Sequence, residues 1–151
     1  MNRSLIDHKP PRIAMLLLVA ATALHWLTPL GDRPASPSIG FAAMLGFAGF
    51  TIMTWGWWQF RERKVAICPT AATTQLITDG VFRITRNPMY LGILLMLTAI
   101  AVSVGTAPFA AAAAGFFLVI NTVFCPDEET KLETTFGDAY VRYRSRVRRW
   151  I

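Results

Sequence analysis

Long uncharged runs alternate with short, strongly polar segments along this chain. From Ile13 to Leu30 the one interruption is His25, and neither Ile39–Phe60 nor Pro88–Phe124 carries a charge. A hydrocarbon core is crossed by roughly 20 helical residues at ~1.5 Å each, so the first two runs are each long enough to span. The third is too long for one crossing. "SVGTAP", Ser103–Pro108, places Gly and Pro near its middle and predicts a tight hairpin of two helices, the second rather short. Spans are therefore expected at about 13–30, 39–60, 88–105 and 108–125, joined by a loop at 61–87 and followed by a polar segment at 126–151.

That final segment has a helical pattern of its own. Leu132, Phe136, Tyr140, Tyr143 and Val147 recur at spacings of four, four, three and four, an apolar face on a helix from about 127 to 148. It is expected to lie against the membrane interface, with a break or kink possible at Gly137. The fold class is thus all-α: a polytopic membrane protein of about four transmembrane helices plus a cytoplasmic amphipathic C-terminal helix, in one domain over residues 1–151.

Composition supports this class: 54% hydrophobic against 16% charged residues leaves too little polar helix surface to cover these segments as buried soluble helices. A secretory signal at the first run is the weaker reading, because no small-x-small cleavage site follows and further spans do. Ala42, Gly46 and Gly49 line one side of the second span and permit close helix contact, suiting internal packing and self-association equally.

Charge sets the orientation. Arg3, Lys9 and Arg12 precede the first span, Arg61, Arg63, Lys64, Arg83 and Arg86 fall in the middle connection, and the C-terminal segment is richer still. The other two connections hold only Arg33. The positive-inside rule then puts both termini and the middle connection in the cytoplasm, the membrane being the cell inner membrane. Trp55, Trp57 and Trp58, just before "RERK", mark an interfacial boundary near Phe60. The net charge of +6 is explained by anionic lipid, and no basic patch interleaved with aromatics suggests nucleic acid. Cys68 and Cys125 belong on the reducing side, so no disulfide is expected, and with His8 and His25 they have no metal-ligand spacing.

Chemistry has to come from the two cytoplasmic segments. "LITDGVF" contains an Asp-Gly turn and predicts a small hairpin or hooked loop. In "TRNPMY" the Asn87 side chain suits an N-cap and Pro88 the first helical turn. Capping accounts for neither Arg86 nor Tyr90 and Gly92, which would leave a ligand room beside the helix end. Downstream, Asp127, Glu128, Glu129 and Glu133 lead and Arg142, Arg144, Arg146, Arg148 and Arg149 follow. This order complements a helix dipole and would also suit a lipid-bound tail. Glu128 with Glu129 at a membrane exit needs a further reason, such as a cationic or hydroxyl-rich ligand.

Together "GVFRITRNPMYLG" and "EETKLETTFGDAYVRYRSRVRRWI" resemble the isoprenylcysteine carboxyl methyltransferase and phospholipid methyltransferase superfamily of integral membrane enzymes, over roughly Leu76 to Ile151. The shared pattern is a Gly-x-x-Arg-x-x-Arg-His-Pro-x-Tyr-x-Gly box, a helical hairpin, then Glu-Glu, Leu, Phe-Gly, Tyr and Tyr. Arg86, Pro88, Tyr90 and Gly92 match the box, Glu128 and Glu129 the carboxylate pair, and Tyr140, Tyr143 and Arg146 the tail. Asn87 replaces the usual histidine and cannot titrate.

The resemblance implies S-adenosylmethionine as methyl donor, held by Asn87, Pro88, Tyr90, Gly92, Glu128, Glu129, Tyr140 and Arg146, with Arg86, Asn87 and Tyr90 at the chemistry. Either glutamate would suit the donor's amino group or ribose hydroxyls, Arg86 or Arg146 its carboxylate, and Tyr90 or Tyr140 its sulfonium. In-line displacement depends on alignment, and no obvious catalytic base is present. That favours a carboxylate or thiol on a lipid-like or isoprenoid acceptor, entering from the bilayer. The alternatives are a phospholipid amine N-methyltransferase, an NADPH-dependent membrane reductase of the related sterol reductase type, and a nonenzymatic lipid-binding membrane protein.

Overall fold

The computed structural model describes residues 10–27, 38–63 and 75–151, and among these it is all helical. Helix α1 is Pro10–Leu27 and α2 is Ile39–Glu62; a 3-10 turn follows at Gly80–Arg83, then α3 at Pro88–Val104 and α4 at Ala107–Val119. A π-turn, Ile120–Phe124, carries α4 directly into α5, Cys125–Phe136, and α6 is Asp138–Arg146. By length and apolarity α1, α2 and the continuous helix Ala107–Phe136 are each able to cross a membrane, and α3 is a shorter apolar helix. Exposed side chains such as Leu16 and Val19 on α1 and Phe41, Phe47 and Phe50 on α2 make sense only against lipid.

Small residues decide how α2 meets α3. A Cβ on Gly49 would stand 2.6 Å from the Gly92 carbonyl oxygen, and one on Gly92 would stand 2.6 Å from the Gly49 carbonyl oxygen. Neither position accepts a side chain without parting the helices. Gly46 approaches Ala99 and Gly56 approaches Pro88 along the same seam, so the small-residue side of α2 serves internal packing. α1 closes the other side of the bundle, where Ala14 joins Leu97, Ala113, Phe116 and Ile120 in one apolar cluster.

Two expectations change, and the break allowed for at Gly137 is present. The hairpin punctuation falls where predicted, with α3 ending at Val104 and Pro108 in the first turn of α4, but the second arm is not short: it runs on past position 125 as one helix to Phe136. The polar helix is two helices, because Gly137 adopts φ 52°, a backbone region that side-chain-bearing residues avoid. Its apolar face packs against protein rather than lipid: Tyr140 and Tyr143 are buried with Ile77, Val81 and Phe82, flanked by Leu132, Phe136 and Val147. The "LITDGVF" segment is the hooked loop beneath them. Gln59 fastens it to the end of α2, its amide donating to the Asp79 carbonyl and accepting from the Val81 N–H, at 3.2 Å each.

Trp55, Trp57 and Trp58 are exposed near the end of α2, and the Arg61 guanidinium lies 5.1 Å over the Trp57 ring, an arrangement suited to the headgroup level. Cys125 is a buried free thiol. Residues 28–30 of the first expected span, and Arg3, His8, Lys9, Arg33, Lys64 and Cys68, lie outside the described residues.

Candidate active site at one end of the bundle

The C-terminal end of α2, the N-terminal end of α3, and α5 and α6 meet at one end of the helix bundle, where most of the polar side chains come together. Arg86 enters from the residues just before α3. Its Nη1 donates to the Tyr140 hydroxyl at 2.9 Å and lies 3.0 Å from Glu129 Oε1. The Arg86 and Glu129 side chains are only 11% and 14% exposed, so this ion pair is largely desolvated and each charge depends on the other.

Glu129 has a second cation. Arg149 donates from Nε to Oε1 and from Nη2 to Oε2, both at 2.8 Å, the bidentate fork that a guanidinium offers a carboxylate. These hydrogen bonds raise the Arg149 pKa above its ordinary value. Its Nη1 reaches Asn121, with the side-chain oxygen at 3.0 Å and the carbonyl oxygen at 3.2 Å. Trp150 Nε1 donates to the same Asn121 side-chain oxygen at 3.0 Å.

Glu128 differs from its neighbour. Among the described residues no arginine bonds it; instead the Tyr90 hydroxyl donates to its Oε1. Of the adjacent carboxylates, one is clamped by two guanidinium groups, and the other is held by a phenol.

Asn87 is the N-cap residue of α3, yet its side chain makes no capping bond. Its amide nitrogen donates to the Arg149 carbonyl at 3.2 Å, while its backbone N–H donates to Thr85 Oγ1. Thr85, fully buried, donates its hydroxyl to the same Arg149 carbonyl at 3.0 Å, and the Arg86 N–H donates to the Arg148 carbonyl at 3.1 Å. The expectation of a capping side-chain oxygen at Asn87 is therefore corrected: the side chain ties α3 to the end of the chain. Tyr143 makes a comparable tie through its hydroxyl to the Phe82 carbonyl at 2.7 Å. Burial raises the hydroxyl pKa of both Tyr140 and Tyr143, keeping them neutral hydrogen-bonding groups.

Among the expected site residues, Arg86, Asn87, Tyr90, Glu128, Glu129 and Tyr140 thus gather at this end. Pro88 is buried beside Gly56 as part of the α2–α3 seam, and Gly92 is taken up by its close approach to Gly49. Arg146 is exposed in the last turn of α6, and the guanidinium that joins the cluster is that of Arg149. Sequence reasoning gave no site role to Thr85, Asn121, Trp150 or Arg149, the last of which it placed only in the basic run of the tail. Arg149 and Trp150 follow the last helix and so escape any periodicity, and Asn121 reads as one polar residue in an apolar run.

A helical bundle with lipid-facing sides and a buried cluster of cations and carboxylates at one end is that of an integral membrane protein. The phospholipid methyltransferase family model matches residues 38–139, and the chain belongs to that family. An uncharacterized protein of Haemophilus influenzae is 44% identical over 63 residues, covering 42% of this chain and all of the relative. No solved structure matches the chain significantly.

Proposed function

We propose that this protein is an S-adenosylmethionine-dependent methyltransferase that methylates a lipid-borne acceptor at the rim formed by α3, α5 and α6. The observation that carries this reading is the unequal pair of carboxylates. A donor with a sulfonium, an ammonium and a carboxylate needs anionic and cationic contacts close together, and both are on offer. Glu128, with no guanidinium partner among the described residues, suits the ammonium or sulfonium. Among the described residues Arg86 Nε is buried without a hydrogen-bond partner, an N–H left over for a carboxylate; an unmet buried donor is costly enough that a ligand satisfying it gains affinity. The donor supplies an electrophilic methyl group, and the ring of Tyr90, partly exposed beside Glu128, suits its cation.

The expected preference for a carboxylate or thiol acceptor rested on the lack of a base. The family to which the chain belongs is described as phospholipid methyltransferase. A phospholipid amine is accordingly the first acceptor to test, ahead of an isoprenoid-linked carboxylate. We place the site at the cytoplasmic face of the inner membrane, with both termini cytoplasmic, on the distribution of Lys and Arg and the tryptophan belt of α2.

Calorimetry of the detergent-purified protein with S-adenosylmethionine, S-adenosylhomocysteine and NADPH tests the donor. Micromolar binding of the two adenosyl compounds and none of NADPH is expected. Binding of NADPH alone would assign a reductase, and binding of none a nonenzymatic role. Transfer of labelled methyl into phosphatidylethanolamine or into a prenylcysteine analogue, in reconstituted vesicles, then identifies the acceptor.

A further inference from the structure

We propose that Arg149 is a positioning residue of this site, acting through Glu129 and Asn87 from an anchor that the π-turn creates at Asn121. The proposal rests on the methyltransferase reading and adds to it residues beyond the stretch matched by the family model, which ends at 139.

The anchor follows from backbone bookkeeping. At the π-turn the Cys125 N–H donates to the Ile120 carbonyl, five residues back, and is thereby diverted from the Asn121 carbonyl it would meet in an ordinary α-helix. The next residue is Pro126, which has no N–H to offer. Asn121 is thus left with a carbonyl that its own helix does not satisfy, and Arg149 Nη1 is the donor that reaches it, at 3.2 Å. π-turns concentrate at functional sites, and here the widened turn produces a docking point for the end of the chain.

From that point one residue organises both halves of the site. The Arg149 guanidinium engages both oxygens of Glu129, and its carbonyl accepts from Thr85 and Asn87 on the approach to α3. Glu129 in turn receives Arg86. The fork therefore fixes Glu129 in the one orientation that also holds Arg86, while the carbonyl fixes the start of α3 from which Tyr90 meets Glu128. Trp150 shares the Asn121 oxygen and packs on Phe117 with ring centroids 5.2 Å apart, which seats the anchor.

The test is S-adenosylhomocysteine affinity by calorimetry on purified variants, with folding checked by circular dichroism and melting temperature. Arg149→Ala should weaken binding at least tenfold and Arg149→Lys by less, since an ammonium keeps the charge and loses the fork. Asn121→Ala should weaken it about threefold. Arg144→Ala, which breaks an exposed pair with Glu133, should leave affinity unchanged. In a Glu129→Ala background, Arg149→Ala should add only about the threefold loss that runs through the Asn121 anchor, well short of its tenfold effect in the wild type. Folded Arg149→Ala with wild-type affinity overturns the proposal, as does full additivity with Glu129→Ala, which would make Arg149 a direct ligand contact. Should Arg149→Ala fail to fold, wild-type affinity in both Arg149→Lys and Asn121→Ala overturns it equally. A wild-type protein that binds no S-adenosylhomocysteine rejects the methyltransferase reading itself, and this inference with it.

Discussion

The α2–α3 seam and the polar rim solve opposite problems. Along the seam, Gly49 and Gly92 bring two backbones so close that the contact is governed by the absence of side chains, with dispersion and shape doing the stabilising. At the rim, Arg86, Glu129 and Arg149 place charges in a largely desolvated setting, where each is tolerable only because the others satisfy it. The seam tolerates no addition and the rim no subtraction. Because both involve the first turns of α3, the rigid seam serves as the mount on which the polar groups are aligned.

The largest effect should come from subtraction at the rim. Glu129→Ala leaves two guanidinium groups without their carboxylate and should cost about 3–5 kcal/mol of stability, with donor affinity down at least about tenfold, roughly 1.4 kcal/mol. Melting in detergent and calorimetry read the two separately. A well-folded variant of unchanged affinity would remove Glu129 from the site.

Addition at the seam comes next. Gly92→Ala puts a methyl group against the Gly49 carbonyl and the Met53 Cβ and should cost about 1–3 kcal/mol by overpacking. If melting is unaffected while donor binding fails, Gly92 serves the ligand rather than the seam, and the contrast between the regions blurs.

Tyr143→Phe tests a single buried tie. Losing the bond to the Phe82 carbonyl should cost about 1 kcal/mol. Burial raises the Tyr143 pKa, so its stabilisation is present below the unfolded value near 10 and is lost as pH rises through the folded value. Wild-type melting should therefore fall above pH ~10, and less steeply in Tyr143→Phe. A variant with the same alkaline slope would show that this hydroxyl is not the one titrating.

Smallest of all should be Glu133→Gln, which breaks the exposed Arg144 pair and should change stability by less than about 1 kcal/mol. A large loss there would extend the rim's dependence on charge to the solvent-facing side of α5 and α6.

Much of this was written in one dimension. The charge-free runs fixed an all-helical membrane protein, because a backbone in lipid has to satisfy its own hydrogen bonds. Gly105 and Pro108 marked the hairpin, and the match to an ordered pair of motifs pointed to Arg86, Tyr90, Glu128, Glu129 and Tyr140, which do converge. What sequence left open was which partner each polar group takes. Nothing local separates Glu128 from Glu129, or Arg146 from Arg149, since neighbours of the same type differ only in which way the helix or the extended tail turns them. Asn121 acquires its role from a π-turn and from a proline five residues on. Those assignments belong to the tertiary structure because hydrogen bonds over separations of 20 to 64 residues depend on where folded elements end up, and periodicity carries information only within an element.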